Sequence, residues 1–173
     1  MPLMLVPILL AASAAQPTSA NPLAPALAGQ LECHFPNDQA KTCRSLASYK
    51  ALGGDRYTST TLILLAPQGP VTLEVTSDAT VKKDTVCGII LRSDLDKGQL
   101  KVADHALTPA EAAPIIEQIA QAMAPMFDKE ACSTFVPSGD GLTIKSSIAG
   151  TPRPELDQPM KWVAPAAGYK VAP

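Results

Sequence analysis

The chain is poor in aromatic residues, which make up only 4% of its 173 residues: one Trp, three Tyr and three Phe. Because so few large rings are available, we expect a core built mainly from aliphatic side chains. Charged residues are also sparse, at 17%, and they nearly cancel to a formal net charge of −2. The longest cationic run is Lys82-Lys83, so the basic footprint that nucleic-acid binding needs is missing, and we predict no nucleic-acid partner.

Motifs for common catalytic and cofactor sites are missing as well. Without a Cys-x-x-Cys pair, the sequence offers neither a thioredoxin-like redox motif nor a zinc knuckle. It also lacks a Gly-x-Ser-x-Gly elbow, a His-x-x-x-His zinc pair, a phosphate-binding glycine loop and a dinucleotide fingerprint. The segment from Asp94 to Gly98 has two carboxylates, but it lacks the glycine and glutamate positions of a calcium loop. We therefore predict no cofactor and no metal site.

The first fifteen residues, Met1 to Ala15, have the pattern of a signal peptide. The apolar run from Leu3 to Leu10 is far shorter than the ~20 residues of a membrane-spanning helix, and small residues follow it where a signal peptidase would cut. The segment departs from the usual pattern in having no Lys or Arg before the apolar run. We predict a signal peptide over 1–15, a periplasmic or extracellular location, and no transmembrane segment after cleavage.

The next segment, residues 16–29, is uncharged and rich in proline and alanine. This composition predicts a flexible leader between the cleavage site and the folded domain. The remaining residues, 30–173, have a length that suits one domain, and we predict a single exported domain over that range.

Four cysteines, Cys33, Cys43, Cys87 and Cys132, form an even set in a chain that we expect to be exported. In an oxidising compartment such a set predicts two disulfides, and four cysteines allow three ways of pairing. We favour Cys33–Cys43 with Cys87–Cys132. The first pair flanks the turn-forming residues 36–38, and the second would tie a central strand to the segment after the helix.

Two hairpins stand out in the pattern of apolar residues. Arg56 to Leu65 is rich in β-branched and aliphatic residues, and a Pro-Gln-Gly-Pro turn separates it from Val71–Thr76. Residues Thr134–Val136 and Leu142–Ile148 flank a second turn in the same way. We expect each pair of segments to form two antiparallel strands.

One helix is predicted between the hairpins. Thr108, Pro109 and Glu111 have the spacing of a capping box with a helix-start proline, and apolar residues then recur at helical spacing. Pro114 lies inside this pattern and should bend or tighten the helix. The resulting expectation is an α+β fold: an antiparallel sheet of short strands, one main helix packed on one face, and two disulfides.

Function is the least determined property of the sequence, and two classes stay open. The first is a non-catalytic binding or envelope-interaction module with an unknown protein or small-molecule partner, for which Trp162 and Tyr169 form a possible surface site. The alternative is a small exported hydrolase that uses His105, which follows Asp104 just before the helix. The sequence predicts no catalytic constellation, so the first class is favoured; the oligomeric state is left open.

Overall fold

Strands account for 51% of the structure and helices for 22%. The computed structural model describes residues 21–68, 70–103 and 105–173. Its strands, in chain order, are β1 (Leu31–His34), β2 (Thr42–Cys43), β3 (Ser45–Gly53), β4 (Arg56–Ala66), β5 (Val71–Lys82), β6 (Thr85–Ile89), β7 (Gln99–Val102), β8 (His105–Ala106), β9 (Glu130–Ser138), β10 (Gly141–Ile148), β11 (Thr151–Pro152), β12 (Gln158–Val163) and β13 (Lys170–Val171). The α-helices are α1 (Ala24–Leu27), α2 (Arg92–Asp96) and α3 (Pro109–Met123), with 3₁₀ turns at Ala124–Met126, Pro154–Leu156 and Pro165–Ala167.

Eight of these strands form a closed antiparallel barrel. The wall follows the chain through β1, β3, β4, β5, β6, β9, β10 and β12, and each strand pairs with the next. The ring closes where β12 pairs with β1, from Leu31 opposite Val163 to His34 opposite Met160. Closure joins the two edges of the sheet, so their backbone N–H and C=O groups find partners within the molecule.

The predicted α+β fold, with a helix on one face of a sheet, is therefore wrong. The local elements on which it was based do exist: β4 pairs with β5, β9 pairs with β10, and α3 begins at Pro109. The error lies in how these elements assemble, because the sheet curls until its first and last strands pair. No local pattern reveals that pairing, since the residues it joins lie near opposite ends of the chain.

Alternate residues of each wall strand face the lumen. On β4 these are the odd-numbered residues from Tyr57 to Ile63, and they lie opposite Ala79 to Leu73 of β5. Tyr57, Leu73 and Ala79 are buried, whereas several residues between them carry hydroxyl groups. The lumen therefore has an apolar lining that Ser and Thr side chains interrupt.

Helix α1 closes one end of the lumen. Leu23, immediately before the helix, is fully buried against Tyr57, Val81 and Val86, and Ala26 of the helix joins the same cluster. Residues 21–29 fall within the segment that we predict to be a flexible leader, and two of them, Leu23 and Ala26, are buried against the barrel. Residues 1–20, including the predicted signal peptide, lie outside the described residues.

Helix α3 belongs to an insertion between β6 and β9 that also contains α2, β7 and β8. The predicted capping box is confirmed: the Thr108 hydroxyl accepts a hydrogen bond from the backbone N–H of Glu111, whose carboxylate accepts one from the N–H of Thr108. Pro114 is accommodated inside the helix. The helix packs onto Leu73 of β5 and Leu100 of β7 through Ala112, Ile116 and Ala120.

Candidate functional site

A cavity of about 320 Å³ lies in the barrel lumen between β4, β5, β6 and β9. We call it the lumen cavity. Small, aliphatic and hydroxylic side chains build most of its wall, among them Ser59, Thr61, Val75, Ser77, Val86 and Ser133. Leu91 and Leu95 beside and within α2, together with Met123 at the end of α3, complete the lining. Its volume lies at the lower end of the ~300–1,000 Å³ range of small-molecule sites, so one small ligand would fill it.

Buried polar groups stand at one side of this cavity. Glu32 of β1 is only 3% exposed, although it carries a carboxylate. The hydroxyl of Tyr49, which lines the cavity, donates a hydrogen bond to Glu32 Oε2 at 2.7 Å, and His34 Nε2 lies 2.6 Å from Oε1. The carboxylate thus has a partner at each oxygen, which offsets part of the cost of removing it from water.

The same network changes the acidity of Tyr49. Burial raises the pKa of its hydroxyl well above the ordinary value, and the negative charge of Glu32 together with the hydrogen bond to it raises the pKa further. Tyr49 consequently stays protonated and keeps donating to Glu32 across the physiological pH range. The network therefore holds the polar part of the wall in one arrangement.

Ser77 and Ser133 take no part in the hydrogen-bond network of Glu32, His34 and Tyr49. Both line the cavity, and neither hydroxyl makes a side-chain hydrogen bond with another residue in the described part of the chain. A hydroxyl group has one donor and two acceptor positions, so these two side chains are available to a molecule inside the lumen.

The disulfides join Cys33 to Cys43 and Cys87 to Cys132, which confirms the favoured pairing. Cys87 and Cys132 lie directly opposite each other on β6 and β9, with 4.1 Å between their Cα atoms. Glu130 brings a carboxylate within 4.8 Å of both sulfurs. Because the sulfurs are bonded to each other, they offer no thiolate to a metal ion.

Trp162 and Tyr169, the predicted surface pair, lie in separate clusters. Trp162 is partly buried in the cluster at the α1 end, and its ring meets Phe135 edge to face with 5.8 Å between ring centres. Tyr169 packs beside the Cys33–Cys43 disulfide and donates a hydrogen bond to Asp38. That bond and the one from Lys161 lower the pKa of Asp38. The two aromatic residues therefore form no common site.

His105, the residue behind the hydrolase alternative, is exposed on β8. Within the described residues its ring makes no side-chain hydrogen bond, and it lies near Glu111, the residue that caps α3. Asp104, its predicted partner, lies outside the described residues. His105 does not line the lumen cavity.

The cavity residues were missed by sequence reasoning. The pattern that could have pointed to them is the run Tyr57, Ser59, Thr61 and Ile63, where one face of a strand combines apolar and hydroxylic side chains. A face that packs fully against a core would be expected to carry larger apolar residues at these positions. The pattern indicates a hollow only once that face is known to point into a closed barrel.

Among the described residues, none of the helices combines the length and the apolar character needed to cross a membrane. Comparison with known proteins found no matching family model, no matching curated protein and no matching solved structure.

Proposed function

We propose that this protein is an exported, non-catalytic binding module that holds one small, largely apolar molecule in the lumen cavity. The observation that carries the proposal is the cavity itself. An eight-stranded barrel has a lumen just wide enough to be filled by side chains or to hold one small ligand. Here part of the lumen is lined by small and hydroxylic residues that leave about 320 Å³ open.

Two further observations support binding. Ser77 and Ser133 offer hydroxyl groups without side-chain partners among the described residues, and a few polar groups in an apolar pocket are typical of ligand sites. The walls on either side of the cavity are fixed by the Tyr49–Glu32 hydrogen bond and by the Cys87–Cys132 disulfide. A pocket that is already formed loses less conformational entropy when a ligand enters.

Export is supported by the predicted signal peptide over 1–15 and by the two disulfides, which persist in oxidising compartments such as the periplasm or the extracellular space. Each disulfide would stabilise the fold by about 2–4 kcal/mol, according to the loop-entropy model. A signal peptide and disulfides together are what we expect of a binding protein in the periplasm or the extracellular space.

The proposal is tested by titrating the disulfide-bonded protein with decanol in a calorimeter. We expect saturable binding at one site. Ser77→Leu places a larger apolar side chain in the lumen cavity and should weaken decanol binding by about tenfold or more. Ser48→Leu makes the same chemical change at an exposed position on β3, outside the cavity, and should leave binding unchanged.

The proposal fails if decanol, decylamine and decanoate all show no saturable binding. It also fails if Ser77→Leu, shown to be folded by its circular dichroism spectrum and its thermal transition, binds decanol as tightly as the wild-type protein.

A further inference from the structure

The barrel wall has an opening beside the lumen cavity, where β5 pairs with β7 along one stretch and with β6 along another. On the side of β5 that faces away from β4, residues 71–74 pair with β7 and residues 80–82 pair with β6. Residues 75–79 of β5 have no paired strand on that side among the described residues. We call this split the portal, because the residues around it line both the lumen cavity and a cleft of about 420 Å³ on the outer surface.

Apolar side chains stand at the portal. Ile89 and Leu91 are 45% and 40% exposed, and each lines both the lumen cavity and the outer cleft. At the base of the split, a Cβ atom on Gly88 would lie only 2.8 Å from the backbone oxygen of Asp78. Glycine therefore lets β6 approach β5 closely there, and the opening begins just beyond that contact. An apolar molecule would meet a continuous apolar path from the surface into the lumen.

The charged residues that line both the lumen cavity and the outer cleft carry one sign. Asp78 and Asp94 line both the lumen cavity and the outer cleft, and within the described residues neither carboxylate forms an ion pair or a side-chain hydrogen bond. Lys97 lines the outer cleft but not the lumen cavity, and its ammonium group lies beyond ion-pair distance of both carboxylates. No Lys, Arg or His is among the described residues that line the cavity.

From this arrangement we propose that the occupant is a single-chain amphiphile with a cationic amine head group. This inference rests on the proposed function, since it names the class of ligand for the same cavity. The apolar chain lies among the aliphatic residues of the lumen, and the ammonium group lies at the portal, within the field of Asp78 and Asp94.

A carboxylate head group is disfavoured for the same reasons. It would lose water on entering the portal, meet two like charges and find no cation on the lining. The two portal carboxylates would neither attract nor repel the uncharged head group of an alcohol. The expected order of affinity is therefore amine, then alcohol, then carboxylate.

The test uses three compounds that share one chain length: decylamine, decanol and decanoate, titrated below their aggregation concentrations at pH 7. We expect decylamine to bind at least about tenfold more tightly than decanoate, with decanol between them. Added salt should narrow the difference, because the portal carboxylates are reached by solvent.

Variants that remove the two carboxylate charges test which residues cause the preference for the amine. The double substitution Asp78→Asn and Asp94→Asn should bring the affinity for decylamine down to that for decanol while leaving decanol binding unchanged. The matched control is Asp55→Asn with Asp140→Asn, which makes the same change in net charge at two turns away from the lumen cavity. This control should keep the wild-type order.

The outcomes separate the two proposals. If decanol binds and decanoate binds as tightly as decylamine, the ligand class is wrong and the binding function stands. If the double Asp variant keeps the amine preference, the assignment to Asp78 and Asp94 is wrong. If none of the three compounds binds, the binding function itself fails.

Discussion

Two regions of the same lumen have opposite packing. At the α1 end, Leu23 is fully buried and fills the space beside Tyr57, with Phe135 and Trp162 packed against the cluster. We call this region the plugged end. The lumen cavity, only a few residues further along the same strands, has small and hydroxylic residues such as Ser59, Ser77 and Ser133 among the aliphatic residues of its lining, and it stays open.

The comparison shows that one barrel contains both a filled and an open section. The two regions share strands β4, β5, β6 and β9, so the backbone frame is common to both. Two of the three Tyr, one Phe and the single Trp of this aromatic-poor chain contribute to the plugged end. Aromatic rings bury the most surface per residue, so their concentration at one end gives that end a large apolar contact area.

The largest expected effect comes from hollowing out the plugged end. Leu23→Ala should lower the free energy of unfolding by about 2–5 kcal/mol, because it removes a fully buried side chain and leaves a cavity. Leu27→Ala, at the end of the helix that follows Leu23, is the matched control. Leu27 is 52% exposed, so its loss should be within about 0.5 kcal/mol. Urea unfolding measures both, and equal losses would show that α1 does not act as a plug.

A smaller effect is expected from the network between the two regions. Tyr49→Phe removes the donor to Glu32 Oε2 and leaves a buried carboxylate oxygen short of a partner, at a cost of about 1–3 kcal/mol near pH 7. Tyr169→Phe removes a hydroxyl from an exposed hydrogen bond and should cost less.

The pH dependence sharpens this prediction. Folding raises the pKa of Tyr49 above its ordinary value of about 10, so the folded state holds the phenolic proton more tightly than the unfolded state does. That contribution is fully present below pH 10 and is lost as the pH rises towards the folded-state pKa. The stability difference between wild type and Tyr49→Phe should therefore shrink above about pH 10, and a difference that stays constant up to pH 11 would contradict the assignment.

The smallest effect on stability is expected at α3, the main helix of the insertion between β6 and β9. Thr108→Ala removes the capping box of α3 and should cost about 1 kcal/mol, whereas Thr108→Ser keeps the cap and should cost less. Hydrogen exchange should show faster exchange in the first turn of α3, with the strands around Tyr57 unchanged. Loss of protection throughout the plugged end would show that the two regions are not independent.

Local elements could be predicted from the sequence because their causes are local. The turn residues between β4 and β5 and the Thr108–Glu111 capping box act over a few positions, and the structure confirms the elements that they predict. The cysteine pairing was also correct: Cys33 and Cys43 flank a turn, and Cys87 and Cys132 meet across neighbouring strands.

Closure and the candidate site could not be predicted because both depend on contacts that are distant in sequence. Glu32 lies on β1, whose pairing with β12 closes the barrel, and its side chain is buried on the lumen side, where it accepts a hydrogen bond from Tyr49. Leu23 read as part of a flexible leader because proline and alanine surround it. Its burial depends on the barrel end that receives it, and nothing in residues 16–29 encodes that end.

The pairing of β1 with β12 has a consequence for the order of assembly. A chain made from its N-terminus presents Leu31–His34 long before Gln158–Val163, so one side of β1 stays unpaired until β12 has been made. The Cys33–Cys43 loop can close early, because both cysteines are delivered together. Ring closure instead joins residues as far apart as Leu31 and Val163, so we expect it to form later than the Cys33–Cys43 loop.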